Sequence, residues 1–242
     1  TLRLNENIHN HYCFMKRVNR EECENDEEFG YKQASQKFRE NDLKNHGIQT
    51  VYVDDYSEIT RILRDVENRV KSKNVFISGS ADFFDKGWTK DEIEKLAFTL
   101  SKKLIAKEFK ITSGFGNVIG SSIINGALDE INSNNFKHYD EHLCLRPFPQ
   151  NIADESERAV KWKKYREDML SDNGVAIFLC GNKRDSSGKK IVSDGCIQEF
   201  NIAKENNCII IPIASTGDAA NDIMNKMQSG ISNYSYIEPY VD

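Results

Sequence analysis

From residue 74 onward, short apolar runs alternate with longer amphipathic segments. The apolar runs are "NVFISGS" (74–80), "FKITSG" (109–114), "EHLCLRPFP" (141–149), "GVAIFLCG" (174–181) and "CIIIPI" (208–213). The segments between them, and "GDAANDIMNKMQSG" after the last one, repeat apolar residues at helical spacing, which predicts helices that each cover one face of a sheet. Strands that alternate with helices predict a parallel sheet. We therefore expect a Rossmann-like α/β domain, with 174–181 as its central strand and 208–213 as another buried strand.

The first 70 residues have a different character. They contain two strand-like runs, "HYCFMKRV" (11–18) and "IQTVYV" (48–53), separated by a charged stretch that is nearly devoid of aliphatic side chains. A helical pattern follows, with Asp55 or Ser57 in position to cap it. This part is too small and too polar to bury much core by itself. We expect two domains, a partial β-α segment at 1–70 and the larger domain at 71–242.

The overall charge excludes some classes of partner. The formal net charge is -5 and the pI about 5.7, which argues against a general affinity for nucleic acid or for an anionic membrane. No apolar run approaches the roughly 18 residues needed to span a bilayer, and no signal peptide is visible. Because the chain opens at Thr1, without an initiator Met, we expect it to be part of a longer protein.

The cysteines and histidines do not form a convincing metal site. Six cysteines are present without a C-x-x-C pair, and Cys144, Cys180 and Cys208 lie in apolar runs where a free thiol is typically buried. His9, His11 and Cys13 share one face of a predicted strand, but no fourth ligand has suitable spacing. We expect a cytoplasmic protein in a reducing compartment, with no disulfide and no metal.

The segment "KITSGFGNVIG" (110–120) is the strongest candidate for a binding loop. Glycine lets the backbone approach a ligand, and the helix that follows offers free N–H groups and a partial positive charge to an anion. The spacing G-x-G-x-x-x-G is one residue longer than the dinucleotide fingerprint. The loop is therefore either a phosphate cradle or a tight strand-to-helix turn without a ligand.

Other candidates follow the remaining strands, because open parallel sheets bind ligands beyond the carboxyl ends of their strands. Small residues stand there at Ser78, Gly79, Ser80 and Gly181. Arg146 ends the third apolar run, and it is either a phosphate ligand or a plain surface residue. Most cations of the segment "KWKKYREDM" (161–169) must be solvated, although one or two of them could face the binding edge. Glu199 is either an acceptor or base at the site, or a helix-start carboxylate.

These motifs occur in an order that resembles the SLOG superfamily, which includes the LOG cytokinin-activating phosphoribohydrolases. The LOG pattern has R-K-x-x-M on a helix and P-G-G-x-G-T-x-x-E after an apolar strand. Met169 matches the family Met, Arg166 the Lys, and Gly195 and Glu199 the Gly and Glu. Tyr165 stands where the family has Arg, and a polar insertion (182–194) replaces the P-G-G-x-G-T loop. These departures argue against hydrolysis of a nucleoside monophosphate.

The run "HYCFMKRV" followed by "LKNHGIQTVYVDDYSEITRILRDVENRV" resembles the strand, strand and final helix that close a bacterial sirtuin-like NAD-hydrolase domain. A sirtuin-like domain followed by SLOG resembles the effectors of Thoeris anti-phage defence. The resemblance implies that the SLOG domain binds a cyclic ADP-ribose isomer, which a TIR-domain protein makes, and thereby activates NAD+ cleavage by the sirtuin-like domain. It implies no catalytic residue and no cofactor in this segment, with NAD+ as the substrate of the parent protein. It also implies a homo-oligomer built on SLOG dimers.

The resemblance also assigns roles within the proposed pocket. A pyrophosphate would be held by Arg146, Lys163 and the glycine loop, the loop that contains Gly114 and Gly116. Glu199 would accept a hydrogen bond from a ribose hydroxyl, and Ser78–Ser80 would form the floor of the pocket. The insertion at 182–194 is either a lid that closes over the ligand or a disordered surface loop without function. The expected ligand-binding residues are Ser78, Gly79, Ser80, Gly114, Phe115, Gly116, Asn117, Arg146, Lys163, Gly181 and Glu199. The alternatives are a LOG-like phosphoribohydrolase and a purely structural oligomerisation domain.

Overall fold

A computed structural model describes residues 11–85, 87–136 and 138–240 of the chain. Its backbone separates into two compact units, and the division falls between Val70 and Lys71. In the described residues, no helix has both the length and the apolar character needed to cross a membrane. The same residues contain no cluster of three or more His, Cys, Asp or Glu side chains that could hold a metal ion. His9 lies outside the described residues.

The smaller unit pairs two parallel strands with two helices. Its elements are β1 (Tyr12–Lys16), α1 (Asp26–Asn45), β2 (Gln49–Val53) and α2 (Ile59–Lys71). The charged stretch forms α1, a largely exposed helix that Asn25 caps by accepting a hydrogen bond from the Glu28 amide at 2.8 Å. Asp55 accepts from the Ser57 amide at 2.6 Å in the 3-10 turn that leads directly into α2. Among the described residues up to Val70, Val53 is the single fully buried apolar side chain, as the polar composition leads us to expect.

The larger unit is built on a five-stranded parallel sheet with the order β5-β4-β3-β6-β9. Its strands are β3 (Asn74–Ser80), β4 (Lys110–Ser113), β5 (Leu143–Leu145), β6 (Val175–Cys180) and β9 (Ile209–Ile213). Its helices are α3 (Lys90–Ala106), α4 (Ile119–Ser133), α5 (Tyr139–His142), α6 (Glu155–Leu170), α7 (Asp194–Glu205) and α8 (Asp218–Gln228). Every β-α alternation predicted from the sequence is present, which confirms the Rossmann-like fold class.

The helices form a layer on each side of this sheet. Alternate residues of a strand point to opposite faces, so Val75 and Ile77 of β3 pack with α3 and α4, whereas Phe76 packs with α6, α7 and α8. Both faces of β3 and β6 are therefore buried, which explains why these strands have continuous apolar sequences. The carboxyl ends of β3, β4 and β6 meet at one edge of the sheet.

Several local predictions are wrong. The run 208–213 is not a buried strand: β9 is an edge strand, and its Ile209 and Ile211 side chains are 45% and 40% exposed. The strand β6 is interior, but β3 occupies the middle of the sheet. Cys144 is only partly buried because β5 is short and lies at the other edge. An apolar run records local burial and carries no information about strand order.

The polar insertion is ordered as a β-hairpin. Its antiparallel strands are β7 (Asn182–Arg184) and β8 (Lys190–Val192). The Asp185 carboxylate accepts hydrogen bonds from the Ser187 and Lys189 amides and closes the turn between them. Gly188 has a φ of +80°, a conformation that glycine adopts without strain.

Candidate functional site

A cavity of about 140 Å³ lies at the carboxyl edge of the sheet. This is the edge where open parallel sheets bind their ligands. The cavity wall combines the ends of β3 and β4, the start of α7, one side of α6 and an aromatic ring from the loop after β5. Its lining residues are Phe76, Ile77, Ser78, Gly79, Ser80, Gly114, Gly116, Phe148, Arg166, Ser193, Gly195, Cys196 and Glu199.

The glycine loop runs from Gly114 to Val118 and touches the end of β3. A Cβ atom on Gly116 would lie 1.8 Å from the Gly79 carbonyl oxygen, so only glycine permits this contact between the two segments. The next turn is unusual, because Phe115 and Val118 have φ angles of +61° and +64°. Side chains of this size rarely adopt such angles, and strain of this kind is concentrated at functional sites.

An ion pair between Arg166 and Glu199 crosses the cavity wall. Each side chain is 9% exposed, and Arg166 Nε lies 3.4 Å from Glu199 Oε1. The second carboxylate oxygen accepts a hydrogen bond from Ser78 Oγ at 2.5 Å. Among the described residues, no acceptor forms a hydrogen bond with Arg166 Nε itself. A buried donor without a partner is rare, and here it lies on a residue that lines the cavity.

Neighbouring groups fix the Arg166 guanidinium in place. It stacks over the Phe148 ring with its carbon 4.7 Å from the ring centroid, and one terminal nitrogen donates to Gln198 Oε1 at 3.1 Å. A Cβ atom on Gly195 would lie 2.9 Å from the other terminal nitrogen. The absence of a side chain at Gly195 therefore makes room for the guanidinium at the start of α7.

Burial raises the pKa values of two side chains that line the cavity, Glu199 and Cys196. Desolvation raises the pKa of Glu199 above its ordinary value of 4.5, and the Ser78 hydrogen bond and the Arg166 charge oppose this shift. Burial also raises the pKa of the Cys196 thiol to about 11, and the nearby Glu199 charge adds to the effect. Cys196 is therefore a neutral thiol at pH 7 and a poor nucleophile.

Asn182 organises the rim of the site beside the hairpin. It is 1% exposed, and its side-chain oxygen accepts from the Asp82 and Phe83 amides, both at 2.9 Å. Its side-chain nitrogen donates to the Phe83 carbonyl at 3.0 Å and to the Asp218 carboxylate at 2.6 Å. This buried amide thus uses both of its donors and accepts twice, which fixes the loop after β3 to the start of α8.

Six of the residues predicted to bind a ligand line the cavity together: Ser78, Gly79, Ser80, Gly114, Gly116 and Glu199. Five others, Phe115, Asn117, Arg146, Lys163 and Gly181, do not line it. Gly181 has a φ of +93° and stands against Ala219 of α8. The Asn117 side chain donates to Asp82. The binding role of all eleven residues stays a prediction.

The two predicted phosphate ligands are solvent-exposed. Arg146 follows β5, where its main-chain amide donates to the Ser113 carbonyl, and a hydrogen bond with Cys144 raises the pKa of its side chain. Lys163 is 71% exposed, and its ammonium lies 3.8 Å from the Glu167 carboxylate.

The sequence reasoning missed several cavity residues. Arg166 was matched to a family position but was not selected, because helical spacing alone does not separate it from Lys163 three residues earlier. Phe148 is apolar, so its residue type offered no reason to select it as a binding residue. Ser193 and Cys196 follow the hairpin, and they line the cavity only because the hairpin returns the chain to the end of β6. Gly195 also matched a family position, and its contact with Arg166 could not be read from the motif.

The profile of the Sir2- and TIR-associating SLOG family matches residues 58–242, so the chain belongs to this family. Among curated relatives, "NAD(+) hydrolase ThsA" from Bacillus cereus is 41% identical over 224 residues, 93% of this chain and 46% of the relative. The relative of the same name from Acinetobacter baumannii is 39% identical over 95% of this chain and 48% of its own length. The relative of the same name from Enterococcus faecium is 34% identical over 96% of this chain and 48% of its own length.

These similarities confirm that the chain is a SLOG protein. They also confirm the resemblance, predicted from the sequence, to a group of NAD(+) hydrolases. The chain spans about half the length of the curated relatives it matches. One solved structure, of the DNA processing protein A from Helicobacter pylori, aligns with 69% of this chain and 84% of that chain at 12% identity. Its TM-score of 0.37 is too low to support an inference. The sirtuin-like character of residues 1–70 stays a prediction.

Proposed function

We propose that residues 71–242 form a sensor domain that binds a cyclic ADP-ribose isomer and thereby activates NAD+ cleavage in the parent protein. The observation that carries this proposal is the cavity at the carboxyl edge of the sheet. There the glycine loop, the start of α7 and the buried Arg166–Glu199 pair converge. Backbone amides and a guanidinium suit phosphate groups, and a carboxylate suits ribose hydroxyls.

The dimensions of the site favour a ligand that is only partly enclosed. Sites for small molecules typically enclose about 300–1,000 Å³, whereas this cavity measures about 140 Å³. A ribose or a single phosphate group would fill it. The remainder of a dinucleotide-sized ligand would lie outside the cavity, and in this proposal the exposed side chains of Arg146 and Lys163 pair with its second phosphate.

The proposed ligand acts by favouring one state of the protein. A ligand shifts a conformational equilibrium only by as much as its affinities for the two states differ. In the full-length protein, a TIR-domain partner would supply the cyclic signal, and dimers of the SLOG domain would carry the change to a sirtuin-like domain that cleaves NAD+. The relatives carry the name NAD(+) hydrolase, which supports the last step. We place this system in the cytoplasm, as part of anti-phage defence.

A LOG-like phosphoribohydrolase is the second candidate. The buried Glu199 favours it, because a carboxyl group with a raised pKa can act as a general acid or base. Tyr165 disfavours it, because the LOG pattern has an arginine at that position. The two candidates differ in a direct observable, since only the enzyme releases a free base from AMP.

Calorimetric titration of the 242-residue chain tests the proposal. The ligands are cyclic ADP-ribose isomers, ADP-ribose, NAD+ and AMP. We expect one cyclic isomer to bind most tightly and Arg146→Ala or Lys163→Ala to weaken it at least tenfold. Lys161→Ala is the matched control, because Lys161 lies on the same helix and pairs with Glu157 at the same i,i+4 spacing, although in the reverse order along the chain.

The titration separates the alternatives. Equal weakening by Lys161→Ala would mean that only the general charge of α6 matters. Binding and turnover of AMP, without binding of any cyclic species, would establish the enzyme and refute the sensor. A chain that binds none of the four ligand types would support a purely structural role.

A further inference from the structure

Asp82 connects the glycine loop to the hairpin. One oxygen of its carboxylate accepts from the Asn117 side-chain nitrogen at 2.9 Å, and the other accepts from the Arg184 amide at 3.0 Å. Asn117 belongs to the glycine loop and Arg184 to the hairpin strand β7. One side chain therefore holds two segments that lie far apart in the sequence. The Ala81 amide reinforces this connection by donating to the Asn117 carbonyl at 3.2 Å.

The main chain around Asp82 is held independently of its carboxylate. The Asp82 amide donates to the Asn182 side chain, and the Arg184 guanidinium lies over the Phe83 ring at 4.3 Å. Removal of the carboxylate would therefore leave the loop after β3 in place. This separation makes the contribution of Asp82 measurable without loss of the fold.

Both ends of the hairpin are attached to the cavity wall. The Ser80 hydroxyl, which lines the cavity, donates to the Asn182 carbonyl at 3.0 Å. At the other end, the amide of Ser193, also in the lining, donates to the Gly181 carbonyl at 2.8 Å. These two bonds join the base of the hairpin to residues of the cavity lining, and Asp82 adds a connection from the glycine loop.

We propose that Asp82 is a positioning residue that makes the order of the hairpin depend on the occupancy of the glycine loop. The proposal rests on the proposed function, because it assigns the ligand to that loop. A ligand that fixes the glycine loop fixes Asn117, and Asp82 transfers this restraint to Arg184. The hairpin is then the element that responds to the ligand.

Three variants isolate this contribution. Asp82→Ala removes both bonds, whereas Asp82→Asn can keep them, because its oxygen accepts from the Arg184 amide and its nitrogen donates to a reoriented Asn117. Asp85→Ala is the control for general loosening. Asp85 pairs with Lys190 of the hairpin and, within the described part of the chain, makes no bond to the glycine loop.

The ligand-free chain supplies the first test. Amide hydrogen exchange reports on the glycine loop, and trypsin reports on the hairpin, whose basic residues are Lys183, Arg184, Lys189 and Lys190. We expect Asp82→Ala to raise both rates about tenfold, as the loss of one or two hydrogen bonds implies. Asp82→Asn should remain within about threefold of the unsubstituted chain. Asp85→Ala should accelerate only the cleavage by trypsin. Unchanged glycine-loop exchange in Asp82→Ala would overturn the proposal.

The second test adds saturating ADP-ribose or the cyclic isomer that binds most tightly. Ligand should slow tryptic cleavage of the hairpin in the unsubstituted chain and in Asp82→Asn, but not in Asp82→Ala at matched occupancy. Equal protection of Asp82→Ala would refute the coupling even if the ligand binds. If the unsubstituted chain binds neither probe, the proposed function fails, and the ligand-free test still decides whether Asp82 links the two segments.

Discussion

Gly116→Ala should destabilise the larger unit. The added Cβ would lie 1.8 Å from the Gly79 carbonyl oxygen and 2.9 Å from its carbon, whereas real Cβ contacts are essentially never shorter than 3.0 Å. The backbone must therefore separate by more than 1 Å at a point where β3 pairs with β6. Overpacking of this kind costs about 3 kcal/mol, which corresponds to a fall in Tm of about 6–12 °C for a domain of this size.

Differential scanning fluorimetry and urea denaturation measure this loss, and Gly188→Ala is the control. Gly188 has a φ of +80°, but a Cβ added there would meet no atom within 4 Å, so alanine introduces backbone strain without a clash. We expect about 1 kcal/mol for that strain. If Gly116→Ala costs no more than Gly188→Ala, the close approach of the glycine loop to β3 is not required. Our account of this site would then be wrong.

Two further predictions follow from burial. Because the pKa of Glu199 is raised in the folded chain, its ionisation should lower stability as the pH rises from about 4.5 through the raised value. The destabilisation by Glu199→Gln, measured by urea unfolding, should therefore be smaller at pH 7 than at pH 4.5, and a larger cost at pH 7 would contradict the shift. Ellman's reagent should modify only partly exposed thiols in the native chain and all six after denaturation. The slow thiols should be Cys180, Cys196 and Cys208.

The Arg166–Glu199 pair shows how the family pattern and the structure complement each other. In the sequence match, Arg166 stands where the LOG pattern has a lysine, and Glu199 stands where the pattern has its glutamate. The structure adds that the guanidinium stacks on Phe148 and needs the bare backbone of Gly195. A lysine could not reproduce this planar contact, because its ammonium is a compact charge without a flat face.

The sequence alone determined the five strands of the main sheet, the longer helices of the larger unit and the site of its glycine loop. The run at 74–80 became β3 with the same bounds, and the helical spacing located α3, α4, α6, α7 and α8. These features are local: the alternation of apolar and polar residues follows the faces that each segment buries, and glycines mark where the chain must turn tightly or pass close to itself.

Only the tertiary structure decided which segments meet. β9 has the composition of a buried strand, yet it lies at an edge, because strand order depends on long-range pairing rather than on local burial. The hairpin has two strands of three residues each, too short and too polar for a recognisable alternation. The choice of Arg166 over Lys163 as the cavity cation depends on how α6 packs against Phe148 and the start of α7. That packing is a property of three segments together, so no single stretch of sequence records it.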